Sequence, residues 1–360
     1  MSATPTTRDA PGPAASGGDR PGPAPRRRIG RLAAGLLLLA AALIAVCVLS
    51  LAVGANALPF RTVWQALTHY DPANPHHLVV VEKRLPRTLV GITAGLGLAV
   101  AGVIVQGLTR NPLADPGLLG VNSGASLFVV VAISVFGVQG SGGGLWFAFA
   151  GAAVVAVFVY GVAGAAGRRG AAPVTLVLAG AAVSAALTSL VTAVLLADRS
   201  ALDQMRFWQV GALAARGFPV FWQTLPGIAA GLVLAFAVSR ALNGLALGEE
   251  VARGLGQRVG RTRALAALSV VLLCGSATAA AGPISFAGLI VAHVARRFAG
   301  SDHRWTVPYA ALSGPTLLIG CDVLGRVVVR PGELQVGVVV AVVGAPLLIA
   351  LIRPRRKARR

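Results

Sequence analysis

Long apolar runs joined by short polar stretches set the pattern of this chain. They recur near residues 32–53, 88–108, 117–138, 145–167, 173–196, 219–240, 264–281, 283–299, 305–325 and 334–352. Most lack the polar stripe that a helix on a water-soluble domain would carry. Runs of about 18 or more apolar residues read as membrane spans, because about 20 residues in a helix cross the hydrocarbon layer. In lipid the backbone must pair internally, which leaves helices or a closed barrel. The short alternating segments that would build a barrel are absent. The pattern predicts an all-α polytopic membrane protein with about ten transmembrane helices. Gly282-Pro283, in "AAAGPISFAG", separates the seventh from the eighth.

Two of the polar joints carry their own information. "QGLTRNPLADPGLLG" (106–120) holds Arg110, Asn111, Pro112, Asp115 and Pro116. Asn-Pro and Asp-Pro steps initiate turns, and Asn and Asp side chains bond to nearby backbone amides. Asp115 is expected to cap the next helix, with Pro116 at its start. The stretch reads as a tight cytoplasmic turn with no direct substrate role. The second joint contains "ALGEEVARGLGQRVG" (246–260). Here Leu247, Val251 and Leu255 repeat at helical spacing, bounded by Gly248, Gly254 and Gly256. Glu249 and Glu250 come early and Arg253 late, which suits the helix dipole. A short amphipathic helix in the longest internal cytoplasmic joint suits docking to a partner.

Composition agrees with a membrane solvent. The 360 residues are 56% hydrophobic and 12% charged, with mean hydropathy +0.76, against roughly 25% charged in soluble domains. The net charge of +20 is distributed by side. With the N-terminus cytoplasmic and ten spans, 23 Lys and Arg fall inside and 9 outside, as the positive-inside rule requires. Both termini are then cytoplasmic. The charge reads as topology and contact with anionic lipid. It does not read as nucleic-acid binding, because no basic domain stands apart from the helices. Residues 1–29, rich in Pro, Gly and Ala, are expected to form a disordered basic tail. Residues 30–353 are expected to form one transmembrane domain and 354–360 a basic cytoplasmic tail. The first apolar run exceeds the roughly 7–15 residues of a signal-peptide core, so it reads as an uncleaved span.

Candidate chemistry is sparse. Cys47, Cys274 and Cys321 each fall within a span and match no metal spacing. His76-His77 lies in an outward loop, either as a solvated pair or as a contact for a metal or haem. No metal site, cofactor or catalytic residue is assigned. The chain has no G-x-x-x-x-G-K-[ST] stretch, and its only lysines are Lys83 and Lys357. Of twelve acids only Asp322 lies inside an apolar run, four residues from Arg326 with which it can pair. An ion-driven carrier usually buries carboxylates or histidines in mid-membrane, and none is evident. The energy is expected to come from a partner.

Four blocks resemble one family. "RLPRTLVGITAGLGLAVAGVIVQGLTRNPLADPGLLGVNSGASL" (84–127), "LNGLALGEEVARGLG" (242–256), "AGPISFAGLIVAHVARRFAGSDHR" (281–304) and "ELQVGVVVAVVGAPLLIALI" (333–352) are similar to FecCD-type permeases. These are subunits of ABC importers for iron-siderophores and vitamin B12. The resemblance implies a ten-helix subunit in a permease dimer, with identical or paralogous partners. It also implies two cytoplasmic ABC ATPase subunits and an extracytoplasmic substrate-binding protein. It places ATPase coupling at Leu247–Gly256 and binding-protein docking at Arg84, Arg87 and Arg326. Ferric siderophore is the cargo it favours, with vitamin B12 and haem as alternatives. The sequence departs from the family at Ala292 and Gln335, where proline is usual. Each change restores a backbone donor and is expected to straighten the eighth and tenth spans.

Overall fold

A computed structural model describes residues 25–54, 56–138, 140–165 and 173–352. Most of the two expected tails, and the joint at 166–172, lie outside the described residues. Every regular element among the described residues is helical. The order is α1 (Pro25–Ala52), α2 (Phe60–Thr68), α3 (Pro75–Leu78), α4 (Leu85–Thr109), α5 (Val121–Phe136), α6 (Gly140–Ala165), α7 (Pro173–Ala197), α8 (Arg199–Gln209), α9 (Phe218–Ala246), α10 (Glu249–Gly254), α11 (Val259–Ala281), α12 (Ala287–Ala299), α13 (His303–Val328) and α14 (Val336–Ile352). A π-helical turn, Val79–Arg84, joins α3 to α4, so that Pro75–Thr109 is one continuous helical rod. Among the described residues seven helices are long and apolar enough to cross a membrane, and α5 and α14 are shorter apolar helices.

The first helix begins at Pro25, inside the stretch assigned to the tail. The expected break at Gly282 is present. Gly282 stands at φ 77° after the last turn of α11, and α12 starts at Ala287. One expectation is corrected. Gln335 precedes α14 and does not lie within it; its carbonyl accepts from the N–H groups of Val338 and Val339. Its identity therefore bears on how α14 starts, and it cannot straighten that helix.

The core is built around α4, which packs against α9, α11, α12 and α13. Its sequence explains why so many helices can reach it. Gly91, Gly95, Gly97, Ala99, Ala101 and Gly102 are all small and buried, and lipid gives helices little hydrophobic reason to associate, so close backbone packing must supply the attraction. At the α4–α12 crossing Gly102 and Gly288 meet backbone to backbone, and a Cβ on Gly102 would run into the Gly288 carbonyl.

Two rim helices escape the search for long apolar runs. α2 buries Val63 and Ala66 beneath it and exposes Phe60, Trp64 and Leu67. α8 begins at an Asp198 cap, whose Oδ1 accepts from Ser200 N at 2.9 Å and Ala201 N at 3.2 Å. Both carry an exposed aromatic face beside polar residues, the arrangement of helices that lie in a membrane interface.

Candidate functional site

The bundle has two polar ends. At one end the last turns of α1 and α13 meet the start of α4, and three arginines knit them together. Arg84 is buried and donates to the carbonyls of Leu51 at 2.7 Å, Ala52 at 2.8 Å and Asn56 at 2.5 Å. These are carbonyls at and beyond the end of α1, which have no intrahelical donor. Arg326, only 2% exposed, donates to the carbonyls of Ser50 at 3.0 Å and Val53 at 2.9 Å, and to Ser50 Oγ at 2.8 Å. Asp322 pairs with both neighbours, Arg326 at 3.0 Å and Arg87 at 2.8 Å. Arg87 also reaches Glu333 at 2.8 Å. The sequence placed Arg84, Arg87 and Arg326 at a docking rim. The structure brings them together, but Arg84 and Arg326 point inward and spend their donors on the chain itself. Only Arg87 and Glu333 sit near the rim surface.

The neighbouring histidine pair is not solvated as a pair: His77 is buried, and its Nδ1 accepts from Asp71 N at 3.1 Å. The ring thereby closes the 71–77 turn, while His76 stays exposed.

At the opposite end lie the two joints singled out above. Arg110 ends α4 in the left-handed region, at φ 52°. Asn111 Oδ1 accepts from Leu113 N at 2.9 Å, and Asp115 Oδ1 from Gly117 N at 2.8 Å. Asp115 caps the single 3-10 turn Pro116–Leu119, with Pro116 as its first residue. Gln106 closes the hairpin by donating to the Ala114 carbonyl at 3.1 Å. Burial pushes the Asp115 carboxyl above its usual range, against the opposing pull of the Gly117 amide. The side-chain hydrogen bonds of Gln106, Asn111 and Asp115 are all made within the hairpin.

The second joint is different, because its apolar side chains have nothing to cover them. Leu247 and Leu255 are each 67% exposed and Val251 is 49% exposed. Gly248 at φ 117° and Gly256 at φ 79° set the chain's turns into and out of α10, in conformations that glycine adopts at little cost. Ala252 faces inward and is fully buried. Glu249 fixes α10 to the bundle through an ion pair with the nearly buried Arg263 of α11, and within α10 it also pairs with Arg253 at 2.9 Å. Glu250 and Gly254 complete the exposed segment. Just before α10, Asn243 joins α9 to α13: its Nδ2 donates to Asp302 Oδ1 at 2.6 Å, and its Oδ1 accepts from His303 N at 2.9 Å. The result is a small apolar knob on a rigid mount.

A multi-helix membrane bundle with these two ends can be compared with known proteins. The model of the FecCD transport family matches residues 42–354. The chain belongs to this family.

It is accordingly a multi-pass membrane permease. The ferric enterobactin transport system permease protein FepD of Escherichia coli (strain K12) is 46% identical over 325 residues, covering 90% of this chain and 95% of that protein. The probable siderophore transport system permease protein YfiZ of Bacillus subtilis (strain 168) is 41% identical, covering 86% and 92%. The hemin transport system permease protein HmuU of Yersinia pestis is 36% identical, covering 91% and 97%. Among solved structures, an inward-facing metal-chelate-type ABC transporter aligns with a TM-score of 0.76 at 25% identity, covering 89% of this chain and 99% of that one.

Sequence reasoning missed Asn243, Asp302 and Ser50 as structural anchors. Asp302 had a readable signal, an acid just before a helix. Ser50 and Asn243 had none, since their partners lie far away along the chain.

Proposed function

We propose that this chain is the membrane-spanning permease subunit of an ATP-binding-cassette importer that moves ferric siderophores into the cytoplasm. In this reading it crosses the membrane ten times, by α1, α4, α5, α6, α7, α9, α11, α12, α13 and α14, with both termini cytoplasmic. A second permease subunit, identical or paralogous, completes the pathway. ATP is hydrolysed by separate cytoplasmic ATPase subunits, which dock on Leu247–Gly256. An extracytoplasmic binding protein delivers the cargo to the rim formed by Arg84, Arg87 and Arg326. Arg87 makes the rim contact, while Arg84 and Arg326 act by holding α1, α4 and α13 in place. The observation that carries the reading is the uncovered Leu247, Val251 and Leu255 triad on the glycine-set knob. The relatives support the cargo class: three of them are named for transport of ferric enterobactin, a siderophore and hemin.

The cargo assignment is tested by uptake in a strain lacking the chain. Labelled ferric siderophore uptake should be lost and should return on complementation, while labelled cobalamin uptake stays at its original level. Loss of cobalamin uptake alone would replace iron chelate with vitamin B12 as the cargo. The topology has its own test. A reporter fused after Arg199 should face outward and one after Gln257 inward, in keeping with the partition of 23 to 9 basic residues. An inward signal from Arg199 would break the ten-span arrangement.

A further inference from the structure

The loop between α8 and α9 holds a cation with no counterion among the described residues. Arg216 is 8% exposed, its Nε has no hydrogen-bond partner, and it forms no ion pair among the described residues. The loop that carries it is pinned on both sides. Ala212 N donates to the Ala281 carbonyl at the end of α11, at 2.7 Å, and Gly337 N at the start of α14 donates to the Gly211 carbonyl at 3.1 Å. Ala215, next to the arginine, sits at φ 57°, a region that residues with a Cβ seldom adopt.

Arg216 lines a cavity of about 480 Å³ together with Gln204, Trp208 and Gln335. The rest of the wall is mostly apolar, and no acid lies on it among the described residues. Arginine does not shed its proton in proteins, so it cannot escape burial by becoming neutral. A buried charge without a partner is costly, and an orphaned polar group in a settled fold asks for an explanation. The missing partner here is an anion. The cavity falls within the volume range of small-molecule sites and greatly exceeds the needs of one phosphate. An anionic headgroup is the other source of such charge. Headgroups gather at clusters of basic residues near the surface, whereas this cavity offers one recessed cation among apolar and aromatic walls.

We propose that Arg216, assisted by the amides of Gln204 and Gln335, receives the oxyanion groups of a negatively charged metal chelate, with Trp208 against its organic face. The inference rests on the reading of the chain as a ferric-chelate permease and names the charge class of cargo that it favours. Iron(III) held by three catecholates is anionic, whereas iron(III) held by three hydroxamates is neutral, so the pair separates charge from bulk.

The test is a titration of the full chain in phosphatidylcholine nanodiscs, read by tryptophan quenching, with Trp208→Phe to identify the reporter. The ferric tris-catecholate should quench Trp208 saturably. Its apparent Kd should rise by about ten- to a hundredfold in Arg216→Gln, the worth of a charge-assisted hydrogen bond, and Arg216→Lys should recover much of the loss. The ferric tris-hydroxamate should bind weakly and respond to none of these changes. Equal binding of both chelates, or quenching unaltered in Arg216→Gln, would overturn the proposal. If Arg216→Gln does not fold, Gln335→Leu decides by the same comparison, with a smaller expected change. If phosphatidylglycerol in the disc abolishes chelate quenching in the wild type, the site belongs to a headgroup and the proposal falls. A wild-type chain that binds the anionic chelate in discs yet moves no iron in cells would sink the importer reading and leave the Arg216 site standing.

Discussion

With Val251 and Leu255 both changed to Asp, uptake should fall to background while the chain still reaches the membrane. Val251 is about half exposed and Leu255 mostly so, and their replacement costs the bundle little. The inward contact of α10 rests on Ala252 and on the Glu249–Arg263 ion pair, which the double variant keeps. A partner that covers the knob would gain about 1.5–3 kcal/mol per aliphatic side chain. It would instead have to desolvate two carboxylates, at several kcal/mol more. Co-purification of the ATPase and uptake should therefore fail together. Full uptake with a normal pull-down would leave α10 as a linker and require energy to enter elsewhere.

Asp322→Ala should produce the largest loss of stability. It removes the acid that both Arg87 and Arg326 use, and it leaves Arg326 buried with no counter-charge. Breaking one side of such a pair typically costs about 3–5 kcal/mol. Replacing both sides costs less, so Asp322→Ala with Arg326→Met should recover part of the loss. The measure is the fraction of monodisperse protein left in mild detergent after a series of heat steps. Arg87→Gln separates docking from stability, because Arg87 lies nearer the surface. It should give a smaller thermal loss and slow binding-protein association most at low salt. Heat resistance of Asp322→Ala equal to wild type would show that the ion cluster does not hold this end together.

The helical architecture was legible because length and apolarity are local properties of sequence. Gly282-Pro283 and Asp115-Pro116 were legible for the same reason: proline and an acid beside it act within a few residues. The knob was legible through its glycines and its helical spacing. What could not be read was the direction in which Arg84 and Arg326 point. An arginine at a span end normally snorkels toward water. These two turn inward because the end of α1 offers carbonyls with no helical donor, and Arg326 reaches its acceptors across 273 and 276 positions of sequence. The rim helices α2 and α8 were missed because each is shorter than a span and half polar. Arg216 was counted only as an outward charge. Its burial comes from a loop pinned by α11 and α14, which no local pattern announces.

The crossing of α4 with α12 also bears on inherited change. Glycine is the only coded residue without a Cβ, so any missense change at Gly102 adds the atom that the Gly288 carbonyl leaves no room for. The same holds at Gly288, where an added Cβ meets the Leu98 carbonyl at 2.6 Å. A missense change at either position must therefore push the two helices apart, and only the silent third base of the codon is free of that cost. The crossing thus marks two places in the gene where a change of residue carries a packing cost that an exchange on the lipid-facing surface does not.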